Sequence, residues 1–131
     1  MDPSAHTNEQ EIRTLIAAWA DAIRARDIGR VVAHHDADVV FYDVPPPPQL
    51  TGTDAYRQAF EGFLRWLGDE GIWELGDVAV VAGDDVAYAY CPIRCKGTGE
   101  SEEIDVRLTL GLRRRDAQWH ITHEHHSVPA P

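Results

Sequence analysis

The densest group of ionisable side chains in the chain is His123-Glu124-His125-His126. Histidine changes charge near neutral pH, and a carboxylate beside it can fix its orientation, so such a group can give and take protons. On a strand the side chains alternate between faces, which sets His123 and His125 with Trp119 and Ile121, and Glu124 and His126 with His120 and Thr122. A second candidate is Asp43, which follows the β-branched and aromatic run Val39-Val40-Phe41-Tyr42. Walled by Phe41, Tyr42 and the proline run Pro45 to Pro48, a carboxylate has its pKa raised toward the working pH and can act as a general base. The same residue can also simply cap the loop after a strand. Arg107 either holds a carboxylate ligand or pairs with Asp105 or Glu103, and the pairing is the expected outcome.

Other chemistries lack their residues. Two histidines two apart on a strand can share a zinc, but no third ligand is marked on another element and there is no His-Glu-x-x-His helix, so no metal is expected. Gly97-Thr98-Gly99 precedes a strand and lacks the lysine and helix of a phosphate loop. Ser4, Ser101 and Ser127 are the only serines, and none sits in a nucleophile elbow. Nucleotide hydrolysis and serine hydrolysis are disfavoured, and no cofactor is expected. Cys91 and Cys95 are four apart on an expected strand, which separates their Cα atoms by about 13 Å, beyond the roughly 7 Å that a disulfide spans. They read as buried free thiols.

The elements that must position these residues follow from periodicity. Thr7 and Gln10 have capping-box spacing, and Ile12, Leu15, Ile16, Trp19 and Ile23 form one apolar stripe of a helix running to about Arg26. Asp27 caps a short second helix, Ile28 to His34, with His34-His35 at its end as structural or rim residues. A strand over Val39 to Tyr42 leads to the prolines, which cannot donate to a ladder and form a stiff loop at the rim of a pocket. The third helix spans Gly52 to Leu67, with Tyr56, Ala59, Phe60, Phe63 and Leu67 on one face and Gly68 at its C′ position. Four strands follow: Trp73 to Ala82, Val86 to Lys96, Glu102 to Arg114 and Gln118 to Ser127. A three-residue turn over Arg115 to Ala117 sets Glu124 and His126 beside Leu108 and Leu110, on the face the helices cover; a two-residue turn sets His123 and His125 there instead. The three-residue turn is the expected one. Helices segregated from consecutive antiparallel strands make the fold α+β.

The 131 residues, 44% of them hydrophobic, suit one domain over 1–131. The net charge of −10 is spread along the chain and repels phosphate backbones and anionic lipid, so neither nucleic acid nor membrane is an expected partner. No apolar run approaches the roughly 20 residues of a membrane helix, and Met1-Asp2-Pro3-Ser4 lacks the pattern of a signal peptide, so a cytoplasmic location is expected.

Three stretches carry a resemblance to a known family: Trp19 to Asp27, Val39 to Asp43, and the hairpin of Arg107-Leu108-Thr109, Arg114 to Trp119 and His123 to Ser127. Over residues 8 to 128 the chain resembles the SnoaL-like and ketosteroid-isomerase-like branch of the nuclear-transport-factor-2-like superfamily, and its closing hairpin is similar to that of the association domain of calmodulin-dependent kinase II. The resemblance implies a cone-shaped fold, three helices on a strongly curved sheet, whose open end admits small apolar or carbonyl ligands, and a homodimer through the sheet. It sets Asp43 at the position of the ketosteroid isomerase base, and the strand register expected above adds Glu124 or His126 as acid or orienting group. In that family an oxyanion tyrosine aligns with Trp19 and a protonated aspartate falls near Leu110, neither of which matches, so steroid isomerisation by that mechanism is not expected. Trp19, Tyr56 and Phe60 are expected as pocket wall, with Tyr42, Leu108, Leu110, Arg107, His123 and His125 as further ligand or interface contacts. The expected activity is cofactor-independent proton transfer, as in an isomerase, cyclase, hydratase or dehydratase, on a small hydrophobic carbonyl or polyketide-like compound. The alternative is a non-catalytic ligand-binding or oligomerisation module.

Overall fold

A computed structural model describes residues 3–131 of the chain. Helix α1 spans Pro3–Arg24 and α2 spans Ile28–Val32. The stripe of α1 is buried throughout, from Ile12 to Ile23. Because α1 begins at Pro3, Thr7 lies within the helix and does not start it. The helix stops at Arg24, short of Arg26, whose left-handed backbone (φ 56°) turns the chain while its guanidinium donates to the carbonyl oxygens of Gly68 and Gly71. Asp27 caps α2 as expected, its carboxylate accepting from the Arg30 N–H at 3.3 Å.

Strand β1 covers His35–Tyr42, four residues more than the apolar run alone indicated. His34 (φ 70°) makes the reversal between α2 and β1, and its carbonyl accepts from the Ile121 N–H at 2.7 Å. The pair His34-His35 is therefore split, with His35 belonging to the strand. After the prolines a two-residue strand β2, Leu50–Thr51, pairs with β1, and helix α3 runs Thr53–Leu67 between Gly52 and Gly68.

The expected strand over 73–82 is two strands, β3 (Ile72–Leu75) and β4 (Ala79–Ala82), both paired with β5 (Val86–Lys96). Pro92 of β5 explains the break. Its carbonyl accepts from the Gly76 N–H at 2.8 Å, but proline has no N–H to return the bond, and the ladder stops there. Gly76 also lies so close to Pro92 that a Cβ would come within 2.7 Å of its ring. Strands β6 (Ile104–Arg115) and β7 (Gln118–Ser127) complete a mixed sheet in the order β2-β1-β7-β6-β5-β3, in which β1 and β7 are parallel and the other pairs antiparallel. The architecture is α+β: helices on one face of a curved, mostly antiparallel sheet, with Phe41, Ile93, Leu108, Leu110 and Ile121 among the core residues between them.

The β6–β7 hairpin decides the site. Its turn is two residues long, Asp116 (φ 52°) and Ala117 (φ 63°), the doubly left-handed form that matches strand twist. In an unbroken ladder this turn would put His123 and His125 inward. A bulge intervenes: Leu112 pairs with Ile121 but Gly111 pairs with His123, so Thr122 is an extra residue. Parity changes there, and Trp119, Ile121, Glu124 and His126 all share the helix-covered side. The expected inward pair is found, but the three-residue turn expected to produce it is not, nor is the grouping of His123 and His125 with Trp119 and Ile121.

Candidate functional site

Glu124 is the centre of the buried polar structure, with no exposed side-chain surface. Opposite Leu110 in the ladder, it receives donors from two elements, one of which is itself bonded by a third. The Tyr56 hydroxyl of α3 donates to Oε1 at 2.9 Å, and His35 Nε2 of β1 meets the same oxygen at 3.0 Å. Trp19 Nε1 of α1 donates to the Tyr56 oxygen at 3.2 Å. The other oxygen, Oε2, lies 2.9 Å from His126 Nε2, a close contact that is an ion pair when the imidazole is protonated. Burial by itself pushes the Glu124 carboxyl up, but His126 and His35 outweigh it and hold the pKa down to about 2. Burial and the Glu124 charge raise the Tyr56 phenol well above its usual value, which keeps it a donor.

His126 links this buried layer to a cavity. Its Nδ1 lies 4.0 Å from Asp43 Oδ1, and the side chains are 12% and 19% exposed. Phe41 and Phe60 pack edge-on against its ring. Asp43 accepts from the Val44 N–H at 2.8 Å, and its carboxyl is raised above the ordinary aspartate value, chiefly by burial and against the pull of His126. The cavity measures about 750 Å³. Pro45 to Pro47 form one side, as the rim reading expected, and Ala59, Phe63 and Trp66 of α3 form another. Asp43, His126 and Gln58 are its polar side chains, set among otherwise apolar walls. A second cleft of about 590 Å³, between α1 and the β3–β4 connection, contains Arg13 and Arg24, but these are bonded to Glu9 and the Val78 carbonyl and to Asp21.

Asp43, Glu124 and His126 are thus brought together. Trp19, Tyr56 and Phe60, expected as wall, and Leu108 and Leu110, expected as ligand contacts, lie buried behind the cavity, and the Trp19 N–H is engaged by Tyr56. Tyr42, His123 and His125 sit on the opposite face of the sheet, where the tyrosine ring packs on both histidines at 4.7 and 5.4 Å. Arg107 is on that outer face too, and it donates to Ser127 Oγ and the Val128 carbonyl instead of pairing with Asp105 or Glu103. These four residues do not line the cavity, because strand alternation points them away, and they lie on the face where the interface alternative expected His123, His125 and Arg107. His35 was missed, although it shares the odd-numbered phase of the buried Val39 and Phe41 on β1. Cys95 was read only as a core thiol, yet it lines the cavity. Both cysteines are free, and burial pushes Cys91 up to about 11 and Cys95 upward, which makes them poor nucleophiles. Among the described residues no cluster of three or more His, Cys, Asp or Glu could hold a metal ion, and no helix is long and apolar enough to cross a membrane.

Comparison with known proteins agrees with this architecture. No curated protein matches the chain. An NTF2-like protein of unknown function from Pseudomonas putida KT2440 is 35% identical, with a TM-score of 0.89 over 96% of this chain and 89% of that one. A protein of the NTF2-like family from Streptomyces avermitilis, provisionally described as a dehydratase, superposes with a TM-score of 0.82 at 17% identity, covering 97% and 99% of the two chains. A ketosteroid isomerase-like protein from Erwinia carotovora atroseptica SCRI1043 does so with a TM-score of 0.74 at 18% identity, covering 93% and 96%. These two likenesses concern the fold. The family model of the SnoaL-like domain matches residues 12–131, from within α1 through β7, and the chain therefore belongs to the SnoaL-like family.

Proposed function

We propose that the protein is an enzyme that moves a proton at carbon beside the carbonyl of a small hydrophobic compound, as an isomerase, cyclase or dehydratase does. The observation that carries this reading is the Asp43–His126 pair at the wall of an apolar cavity, backed by the buried Glu124. A reacting atom about 3 Å from both groups can lose its proton to one and receive a proton from the other. The 4.0 Å gap between Asp43 and His126 leaves the two without a direct hydrogen bond. Burial raises the Asp43 carboxyl, which makes it a stronger base than an exposed aspartate. The cavity walls carry no arginine or lysine, which favours uncharged ligands over carboxylates and phosphates. The names of the dehydratase-like and ketosteroid isomerase-like neighbours are in keeping with this class.

The test is hydrogen exchange. Purified protein is incubated in D2O with a panel of enones, β-hydroxyketones and aromatic ketones, and deuterium incorporation beside the carbonyl is followed by NMR. Catalysed exchange is expected, with a loss of about 10²- to 10⁴-fold in Asp43→Asn, which is isosteric but cannot take a proton. Wild-type exchange in that variant removes Asp43 from the mechanism. A second reading, a pocket that binds without chemistry, has one observation in its favour: the Trp19 donor is turned to Tyr56 and the Tyr56 donor to Glu124, leaving Gln58 and His126 to meet a developing oxyanion. It predicts ligand-induced thermal stabilisation with no exchange.

A further inference from the structure

Two buried donors, His35 and Tyr56, meet one oxygen of a carboxylate that does not itself line the cavity. Glu124 Oε1 takes the Tyr56 O–H and the His35 Nε2 contact at 2.9 and 3.0 Å, so both of its lone-pair directions are filled. A carboxylate oxygen only accepts, so His35 must carry its hydrogen on Nε2. Its Nδ1 is buried without a partner, where a second hydrogen would have no acceptor. The ring of His35 is in turn held against that of Tyr56, with centroids 4.1 Å apart. Oε2 has no neighbour of this kind except His126 Nε2 at 2.9 Å.

Resting on the proton-transfer reading, we propose that His35 is a positioning residue: together with Tyr56 it occupies Glu124 Oε1, so that the carboxylate turns its other oxygen to His126 and sets the charge that imidazole carries beside Asp43. The titratable groups around His126 are Glu124 on its own strand and Asp43 at the end of β1, with His35 and Tyr56 behind Glu124. The neighbouring strand β6 presents the apolar Leu108 and Leu110. Nothing else ionisable intervenes among these contacts, so a change at His35 reaches His126 through Glu124.

The experiment reads His126 directly. In protein carrying 15N-labelled histidine, the ring nitrogens of His126 are titrated by NMR in wild type, His35→Phe, His35→Gln and Tyr56→Phe, with His126→Gln used to assign the signals. Phenylalanine keeps the ring volume of His35 but cannot donate, whereas glutamine keeps a donor. The expected result is a displaced His126 titration midpoint in His35→Phe, restored at least halfway in His35→Gln, with a displacement of the same sign in Tyr56→Phe. Exchange turnover should fall about 10- to 100-fold in His35→Phe at unchanged KM, the size of one hydrogen bond to a charged group. Wild-type titration of His126 in both His35→Phe and Tyr56→Phe overturns the proposal, as does an equal displacement in His35→Phe and His35→Gln. If His35→Phe does not fold, Tyr56→Phe and His35→Gln decide it alone: a wild-type midpoint in Tyr56→Phe is then the overturning result. A wild-type protein that exchanges no ketone would refute the proposed function while leaving this titration readable, so the two failures are distinct.

Discussion

Strand β7 carries four ionisable residues in succession, and its two faces treat them in opposite ways. On the covered side Glu124 is wholly enclosed and His126 nearly so, bound into contacts with His35, Tyr56 and Asp43. On the outer side His125 is exposed and His123 half-buried, packed on Tyr42, with His123 Nδ1 meeting the Val40 carbonyl at 2.8 Å. Residue type is the same and separation is one position, so the difference is one of surroundings. Solvent on the outer face levels electrostatic interactions, whereas in the apolar interior the same charges act strongly on one another and on their pKa values. Strong coupling between ionisable groups therefore concentrates on one face of the strand.

The largest expected effect is on the covered face. Glu124→Leu leaves His126 and His35 without their carboxylate and should cost about 3–5 kcal/mol in urea denaturation at neutral pH, whereas His125→Gln on the outer face should stay within about 0.5 kcal/mol. The comparison also has a pH signature. Glu124 has its folded pKa lowered from 4.5 to about 2, so its contribution is fully present above the unfolded value and is lost as pH falls through the folded one. The stability of Glu124→Leu should lack that acid limb, and an unchanged limb would mean that Glu124 is not the group responsible.

A smaller effect is expected at the bulge. Removing Thr122 leaves Gly111 opposite His123 and Leu110 opposite Glu124, now in an unbroken ladder with a two-residue turn. The deleted protein should fold with Glu124 and His126 still inward, losing about 1 kcal/mol for the Thr122 hydroxyl bond to the Gly111 carbonyl. A deleted protein whose crystal structure turned His123 inward in place of Glu124 would show that parity is governed elsewhere.

The smallest effect has the opposite sign from that of Glu124. The Asp43 carboxyl is raised above its unfolded value of 3.8, so the stability linked to it is present below that pH and lost as pH rises through the folded value. Asp43→Asn cannot ionise and escapes that loss. It should melt slightly higher than wild type at neutral pH, by a margin that shrinks toward pH 3, while exchange collapses; a lower melting temperature at neutral pH would contradict the raised carboxyl.

Much of this was legible in residue order. The stripe of α1, the cap at Asp27, the span of α3 and the apolar-to-acid ending of β1 follow from period and local hydrogen bonding, and each is found near where it is expected. The places that misled are those where a distant residue intervenes. Pro92 splits the strand over 73–82 from across the ladder, and His35 looks like the end of a helix until β1 pairs with β7. Arg107 has acidic residues close by in sequence but finds Ser127 and Val128 from the next strand.

By itself the sequence determined the α+β class, the family, and the candidacy of Asp43, Glu124 and His126, because these depend on periodicity and on residue chemistry. Only the tertiary structure decided which histidines face the cavity, that Trp19 and Tyr56 serve Glu124 and do not meet a ligand, and that His35 joins them. The physical reason is that strand parity turns on one extra residue, Thr122, and hydrogen-bond partners are chosen by packing between elements far apart in the chain.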